Sequence, residues 1–323
     1  MAEPDNPHDL DFAAHPHDAY FKKVFSEPAH AAAFFQRHLP ARVAAAMDWA
    51  GLQVLPGSFV KTSLEQVHAD LLFSVNLAGR PTLLYLLLEH QSSVDPLMPL
   101  RMLVYVTEIL LGHAREIGLP LPMVFPFVLH QGPEQWAVSP CLEQMFDLPE
   151  DLSVEVLPFL PKFRHGLLDL TRFDPDGDKS DLRLRAVLQF MKLARERDVR
   201  GLLLWMIEDA RQSAHRLPEG LLKTTLLYAL HCDTRVDAAQ IIDILSGSAE
   251  YRETTMTIAQ QLKAEGQAEA KAEGSYIGRL QLLQELMGLP VAAYETLSRL
   301  GGDELQARCV ALHGEYELRF KKA

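Results

Sequence analysis

Val67-His68-Ala69-Asp70-Leu71-Leu72-Phe73-Ser74-Val75, a turn, and then Thr82-Leu83-Leu84-Tyr85-Leu86-Leu87-Leu88-Glu89-His90-Gln91: the reading of these two runs decides the fold. Each is about one strand long. Between them Asn76-Leu77-Ala78-Gly79-Arg80-Pro81 supplies the Gly and Pro of a turn, so the pair reads as a β-hairpin. The second run is apolar on both faces, as in a strand buried on both sides, yet it ends in Glu89. Side chains two apart share a face of a strand, so Glu89 and Gln91 point one way and His90 the other. Asp70 lies in the first run with Leu71, Leu72 and Phe73 directly after it.

A desolvated carboxylate is costly unless it is paired, hydrogen-bonded or bound to a metal. Oxygen-only donors suit a hard cation such as magnesium, held by one or two carboxylates with water and substrate phosphate. An Asp, a hairpin and then Glu-x-polar is the skeleton of a metal-dependent phosphodiesterase, in which the ion activates water and neutralises the scissile phosphate. The same residues admit a plainer reading, with Asp70 at a strand end and Glu89 paired with Arg101 or another base.

Outward from the hairpin, apolar residues Tyr20, Phe21, Val24, Phe25, Phe34 and Phe35 recur at helical spacing, with a break expected near Pro28. Asp18 and Lys22, four apart, share a face of that first helix and fit a surface ion pair. Residues 40–56 read as a short helix and loop, and 58–62 as the first strand. After Asp95-Pro96 a helix should begin, with Pro96 or Pro99 in its first turn. Its apolar residues, Leu97, Leu100 and Val104 among them, are too numerous for a helix facing solvent, so it should pack on the sheet. Arg101, Tyr105 and Glu108 fall on one side, as an Arg101–Glu108 pair or as a phosphate-facing Arg101.

The next strand is expected over 123–130, closed by Gln131-Gly132-Pro133, with Trp136 and the 154–160 run completing the packing. Helix, hairpin, helix, strand is an α/β layer arrangement with a small mixed sheet. Helices then follow over 181–197, 200–215, 218–232 and 237–245, with Trp205 and Met206 as core. The Glu-, Ala- and Lys-rich tract 262–274 has no apolar stripe and reads as an exposed helical linker. Leu280, Leu283, Leu286 and Met287, then Leu289, Tyr294, Leu297 and Leu300, give two amphipathic segments suited to self-association or partner binding. The organisation expected is a flexible lead-in over 1–16, an α/β domain over 17–173, a helical region over 174–255 and a helical tail over 256–323.

Composition bounds the function. At 323 residues, 48% hydrophobic and 23% charged, the chain is an ordinary globular protein. Cys141, Cys232 and Cys309 lie far apart, which fits a reducing cytoplasm and not a zinc site. No signal segment and no apolar run of ~18 residues is present, so neither secretion nor a membrane partner is expected. His8, His15 and His17 form no helical metal pair and read as solvated surface. A net charge of −12 argues against a protein that coats nucleic acid non-specifically.

Beyond these local readings, the chain resembles the recombination-promoting nuclease / putative transposase family, whose fold belongs to the PD-(D/E)XK restriction-endonuclease-like class. His17-Asp18-Ala19-Tyr20-Phe21-Lys22-Lys23, Ala69-Asp70-Leu71-Leu72-Phe73, the block from Tyr85 through Glu89-His90-Gln91-Ser92-Ser93 to Arg101, and Pro126-Phe127-Val128-Leu129-His130-Gln131-Gly132 carry it, with Trp136 and the Glu-Gly tract near Gly266 and Gly274. The resemblance implies a restriction-endonuclease-like core followed by a mainly helical C-terminal region. It implies a Mg2+-dependent DNA endonuclease, Mn2+ being a substitute, with a role in recombination or mobile-element activity. Asp70 and Glu89 would bind the metal, joined by the backbone carbonyl of His90, and Gln91 would orient the attacking water. Asp18, Lys22 and Arg101 would border the pocket or meet phosphate. Gln91 stands where the wider nuclease class has Lys, and Gln can neither act as a base nor carry charge. That substitution and the acidic composition favour a rival reading: a nuclease-fold protein, weakly active or inactive, that serves as a DNA- or protein-interaction module. The partners expected are DNA and, through the C-terminal helices, further copies of the chain in a homo-oligomer.

Overall fold

In the computed structural model the hairpin is the middle of a five-stranded sheet. The structure describes residues 15–55, 69–89, 94–151, 153–175, 182–196, 198–213, 216–232 and 237–320. Two compact units are present, 1–251 and 252–323.

In the first unit, α1 (Pro16–Phe25), α2 (Pro28–His38) and α3 (Ala41–Ala45) precede β1 (Gln53–Leu55), β2 (Ala69–Leu77) and β3 (Arg80–Glu89). Then follow α4 (Met98–Glu116), β4 (Met123–His130), the single turn α5 (Ser153–Val156) and β5 (Gly166–Asp169). The helices α6 (Leu182–Glu196), α7 (Val199–Ser213), α8 (Glu219–Cys232) and α9 (Ala238–Ser246) complete it. The strand order is β1-β2-β3-β4-β5; β1, β2 and β3 are antiparallel neighbours, while β3, β4 and β5 run parallel. The sheet is therefore mixed and flanked by helices, as the α/β reading requires. The order helix, hairpin, helix, strand holds.

The hairpin turn is tighter than the sequence suggested. Ala78 and Gly79 both have positive φ (49° and 77°), so two residues close it and Leu77 pairs with Arg80. Pro81 is tolerated in β3 because the ladder to β4 begins one residue later, at Thr82↔Met123.

Strand alternation sorts the core. Leu72, Tyr85 and Val128 face α4 and pack with its Met98, Met102, Tyr105 and Ile109 and with Trp136. On the other face Phe73 and Phe127 meet α2, with ring centroids 5.9 Å from Phe35 to Phe73 and 5.1 Å from Phe34 to Phe127. Rings of α1 and α2 pack edge to face (Phe25 to Phe34, 5.6 Å), and behind this layer α8 packs on α1 and α6 on α2.

Several expectations need correction. The strand expected over 58–62 lies outside the described residues, and the first described strand, β1, occupies part of the stretch read as loop. β5, four residues long, was not foreseen; its Gly166 passes so close to β4 that a Cβ would land in the Phe127 ring. The apolar surplus on α4 is not all packed on the sheet: Leu97, Leu100, Val104 and Leu111 are exposed. Nor does the 154–160 run finish the core, since Val154 is 77% and Phe159 87% exposed. Met206 is buried, whereas Trp205 is only half-buried.

The second unit comprises α10 (Arg252–Leu286), α11 (Tyr294–Leu297) and α12 (Gly302–Phe320). Tract 262–274 is not a separate linker but the middle of one 35-residue helix. Its Ala, Glu, Lys and Gln favour helix strongly enough to carry two glycines. Of the amphipathic residues beyond it, Leu280, Leu283 and Leu286 belong to the same helix, whereas Tyr294 and Leu297 belong to α11; Ile277, Leu280, Leu297, Leu305 and Cys309 form this unit's own core. Gln281 and Gln284 tie the chain between α10 and α11 by hydrogen bonds to the carbonyl and N–H of Ala292 (3.0 and 2.9 Å).

Candidate metal centre at the strand ends

The register of the hairpin fixes where its two acidic positions stand. Asp70 is the partner of Leu87 across β2 and β3, and Leu87 shares a face of β3 with Glu89. Positions 70 and 89 are thus diagonal neighbours on one face, about 7–8 Å apart along the backbone by ordinary sheet geometry. That face is the one covered by α4, since positions 72 and 85 are in the same phase and lie in the α4-side core. Both positions stand where β3 runs out toward the start of α4. His90 and Gln91 lie outside the described residues, and so do the side chains of Asp70 and Glu89.

The parallel ladders extend this row. Glu89 pairs with His130, and His130 with Asp169, so three polar positions lie abreast at the ends of β3, β4 and β5. His130 is fully buried and its ring stands edge-on to Trp136 at 5.0 Å. Its Nε2 lies 2.8 Å from the Glu134 carbonyl, which can only accept, so Nε2 carries a hydrogen. Its Nδ1 is buried without a hydrogen-bond partner. Both oxygens of Asp169, by contrast, are engaged. Its Oδ1 accepts from the Thr171 N–H and hydroxyl (3.0 and 2.8 Å), and its Oδ2 accepts from the Trp136 N–H (3.0 Å).

Arg101 lies in the first turns of α4 and does not pair with Glu108. Its Nη1 donates to Asp95 Oδ2 at 2.6 Å and its Nη2 to the Tyr105 hydroxyl at 3.3 Å. Burial works against its charge, but the hydrogen bonds from Asp95 and Tyr105 outweigh that and hold the guanidinium above its usual pKa. Asp95 Oδ1 also accepts from the Leu97 N–H (2.8 Å), so the pair fastens the loop after β3 to the start of α4. Tyr105 in turn contacts Tyr85, in the same phase as positions 70 and 89.

Asp18 and Lys22 are half-buried on α1, whose layer packs on the opposite face of the sheet from α4. Their neighbour His17 is not solvated surface, as its position near the start suggested. The Tyr228 hydroxyl donates to its Nδ1 (2.7 Å), and Gln131 lies at the centre of this cluster. Gln131 Nε2 reaches the Met191 carbonyl (2.6 Å), the Tyr228 hydroxyl (2.7 Å) and His17 Nδ1 (3.2 Å). Tyr20 stacks on Tyr228 at 4.1 Å and donates to Thr225 Oγ1, which donates onward to the Leu221 carbonyl. Burial pushes both phenols well above their usual range, so they remain hydrogen-bond donors. This cluster joins the end of β4 to α1, α6 and α8 one residue beyond His130.

His130, Asp169 and Gln131 were missed as members of this region. The signal for His130 was present: it ends the 123–130 strand in the same phase as Val124, Pro126 and Val128. Positions 70 and 89 and the orphaned ring nitrogen of His130 all stand on the α4 side near the strand ends, and two carboxylates with a nitrogen are donor types that a divalent cation takes. Among the described residues no three His, Cys, Asp or Glu side chains form a metal cage by themselves. A separate cavity of about 370 Å³ lies toward the far end of α4, lined mainly by apolar residues including Leu55, Leu72, Leu83 and Ile109. It offers no lysine or arginine to a phosphate.

Comparison with known proteins joins these observations. Recombination-promoting nuclease RpnA of Escherichia coli (strain K12) is 30% identical over 90% of this chain and 96% of its own length. RpnC of the same organism is 30% identical over 78% of this chain and 82% of its own. The protein named "Inactive recombination-promoting nuclease-like protein RpnE", also from that strain, is 29% identical over 81% and 86%. No solved structure matches the chain. The family model described as "Putative transposase, YhgA-like" matches residues 15–218, from the first turn of α1 through the whole sheet to the start of α8, and the chain belongs to this family, together with the recombination-promoting nucleases.

Proposed function

We propose that the chain is a metal-dependent DNA endonuclease that hydrolyses phosphodiester bonds in DNA recombination or mobile-element activity. The observation that carries this reading is the register: Asp70↔Leu87 sets positions 70 and 89 as diagonal neighbours on the α4 face, within reach of one shared cation. The kinship with proteins named recombination-promoting nucleases supports it. Mg2+, with Mn2+ as a substitute, would supply Lewis-acid polarisation of the phosphate and a nucleophilic water at neutral pH. Asp70 and Glu89 would hold it, with the His90 backbone carbonyl as a further oxygen ligand. Gln91 would orient the attacking water by hydrogen bonds alone, since its amide cannot take a proton. Arg101, tied to Asp95, and Asp18 and Lys22 would serve at the border of the pocket or meet phosphate.

Nicking of supercoiled plasmid by the purified protein tests this, in Mg2+, in Mn2+ and in chelator. Cleavage should require the cation and fall by at least about a thousandfold in Asp70→Ala and in Glu89→Ala, a few kcal/mol of lost transition-state stabilisation. Activity surviving in both variants would place the chemistry elsewhere. A second reading, a nuclease-fold interaction module without cleavage, draws on one observation: RpnE, similar over most of its length, bears the name inactive. A folded wild type that binds the cation and cuts nothing would favour it.

A further inference from the structure

We propose that Nδ1 of His130 is a third protein side-chain ligand of the cation, beside Asp70 and Glu89, and that the site therefore ranks first-row transition ions above magnesium. The inference rests on the metal-centre reading above and adds to it the identity of a ligand and the class of ion.

Four features of His130 converge. Its backbone is the register partner of Glu89, so the two positions are adjacent, about 4.8 Å apart, on parallel strands. Its ring lies on the α4 side, against Trp136 of that core. Its tautomer is fixed by the Glu134 carbonyl, in the manner of a metal-bound histidine whose other ring nitrogen donates to a backbone oxygen. Its remaining nitrogen is buried without a hydrogen-bond partner. His165 Nε2 is likewise buried without a hydrogen-bond partner, so what singles out His130 is its place beside position 89 at the strand ends. Asp169, next in the row, is held by three hydrogen bonds, from Thr171 N–H and hydroxyl and from Trp136 N–H.

The consequence is chemical. Magnesium takes oxygen donors almost exclusively, whereas an imidazole raises affinity for first-row transition ions in the order manganese, cobalt, nickel. A carboxylate-only site has the same order of preference but a weaker one.

Pulsed electron paramagnetic resonance of the full-length wild-type protein carrying one equivalent of Mn2+ reads the ligand directly. Nitrogen modulation from a coordinated imidazole is expected, and it should vanish in His130→Gln. Calorimetric titration with Co2+ and Mg2+ gives the second readout. His130→Gln should lose at least the roughly tenfold in Co2+ affinity that loss of even an outer-shell partner costs, with a smaller change for Mg2+. Glu89→Ala should lose both ions. An Mn2+ signal with oxygen ligands only, or an unchanged Co2+/Mg2+ ratio in folded His130→Gln, overturns the histidine ligand and leaves the two-carboxylate site standing. A wild type that binds no cation overturns both.

Discussion

At the residue scale, the polar atoms of this protein divide into those that are spent and those that are held in reserve. Asp95, Asp169 and Tyr228 are engaged by neighbours, while His130 Nδ1, Gln131 Oε1 and His165 Nε2 are buried without a hydrogen-bond partner. His165 is a second buried histidine, 6.3 Å from Trp136, and its Nδ1 donates to the Gly166 carbonyl at 2.8 Å. Burial pushes this imidazole below the ordinary 6.5; the Gly166 carbonyl pulls the other way, and the nearby Arg164 adds to the lowering. The folded state therefore prefers it neutral. As pH falls below about 6.5 the unfolded chain takes up the proton first, so the stability His165 contributes is full above that value and is lost as pH falls toward its folded pKa. Urea unfolding of wild type and His165→Gln should show a steeper loss of stability between about pH 7 and pH 5 in wild type. Parallel curves would mean that His165 is not held neutral. None of this was legible in the sequence. Gln131 meets Tyr228 from 97 residues away and Met191 from 60, and only the fold brings them together.

At the element scale, the sequence was most legible where periodicity is long. The hairpin, the 123–130 strand and the four helices from α6 to α9 all lie within a few residues of their expected places, because each carries an apolar pattern that spans its length. The short strands were missed. β1 has three residues and β5 four, too few to show alternation, and their strand state comes from pairing with β2 and β4. Gly166 marks what β5 needs instead of a pattern, which is close approach to Phe127. That ring is held by Phe34 and Phe35 on α2 and cannot easily yield. Gly166→Ala should cost about 1–3 kcal/mol, the usual range for overpacking. Chemical denaturation reads this, and an unchanged midpoint would mean that β5 shifts freely. The same expectation does not extend to Gly274, where an added Cβ meets nothing.

At the scale of the whole molecule, charge sets the terms on which the proposed nuclease would approach DNA. A chain of net charge −12 gains little from counterion release, so under that proposal a cation at positions 70 and 89 would have to offset local repulsion. Duplex DNA should be retained poorly on a filter in chelator at about 0.15 M salt, and retention should rise when a divalent cation is added and not in Glu89→Ala. Equal retention with and without the cation would point to a basic surface independent of the metal. Composition made this constraint visible at once. It could not show that the region after 251 has a core of its own, since the long polar stretch of α10 hides one continuous helix. Among the described residues no helix is long and apolar enough to cross a membrane.

The central claim is that the hairpin register makes one metal centre from Asp70 and Glu89. A double-mutant cycle on cation affinity tests it most directly, with Asp70→Asn, Glu89→Gln and the pair titrated calorimetrically with Mn2+. If the two carboxylates share an ion, each single change should remove most of the affinity and the second should add much less than its own separate loss. Losses that simply add, or a single change that leaves binding intact, would mean that positions 70 and 89 do not belong to one site.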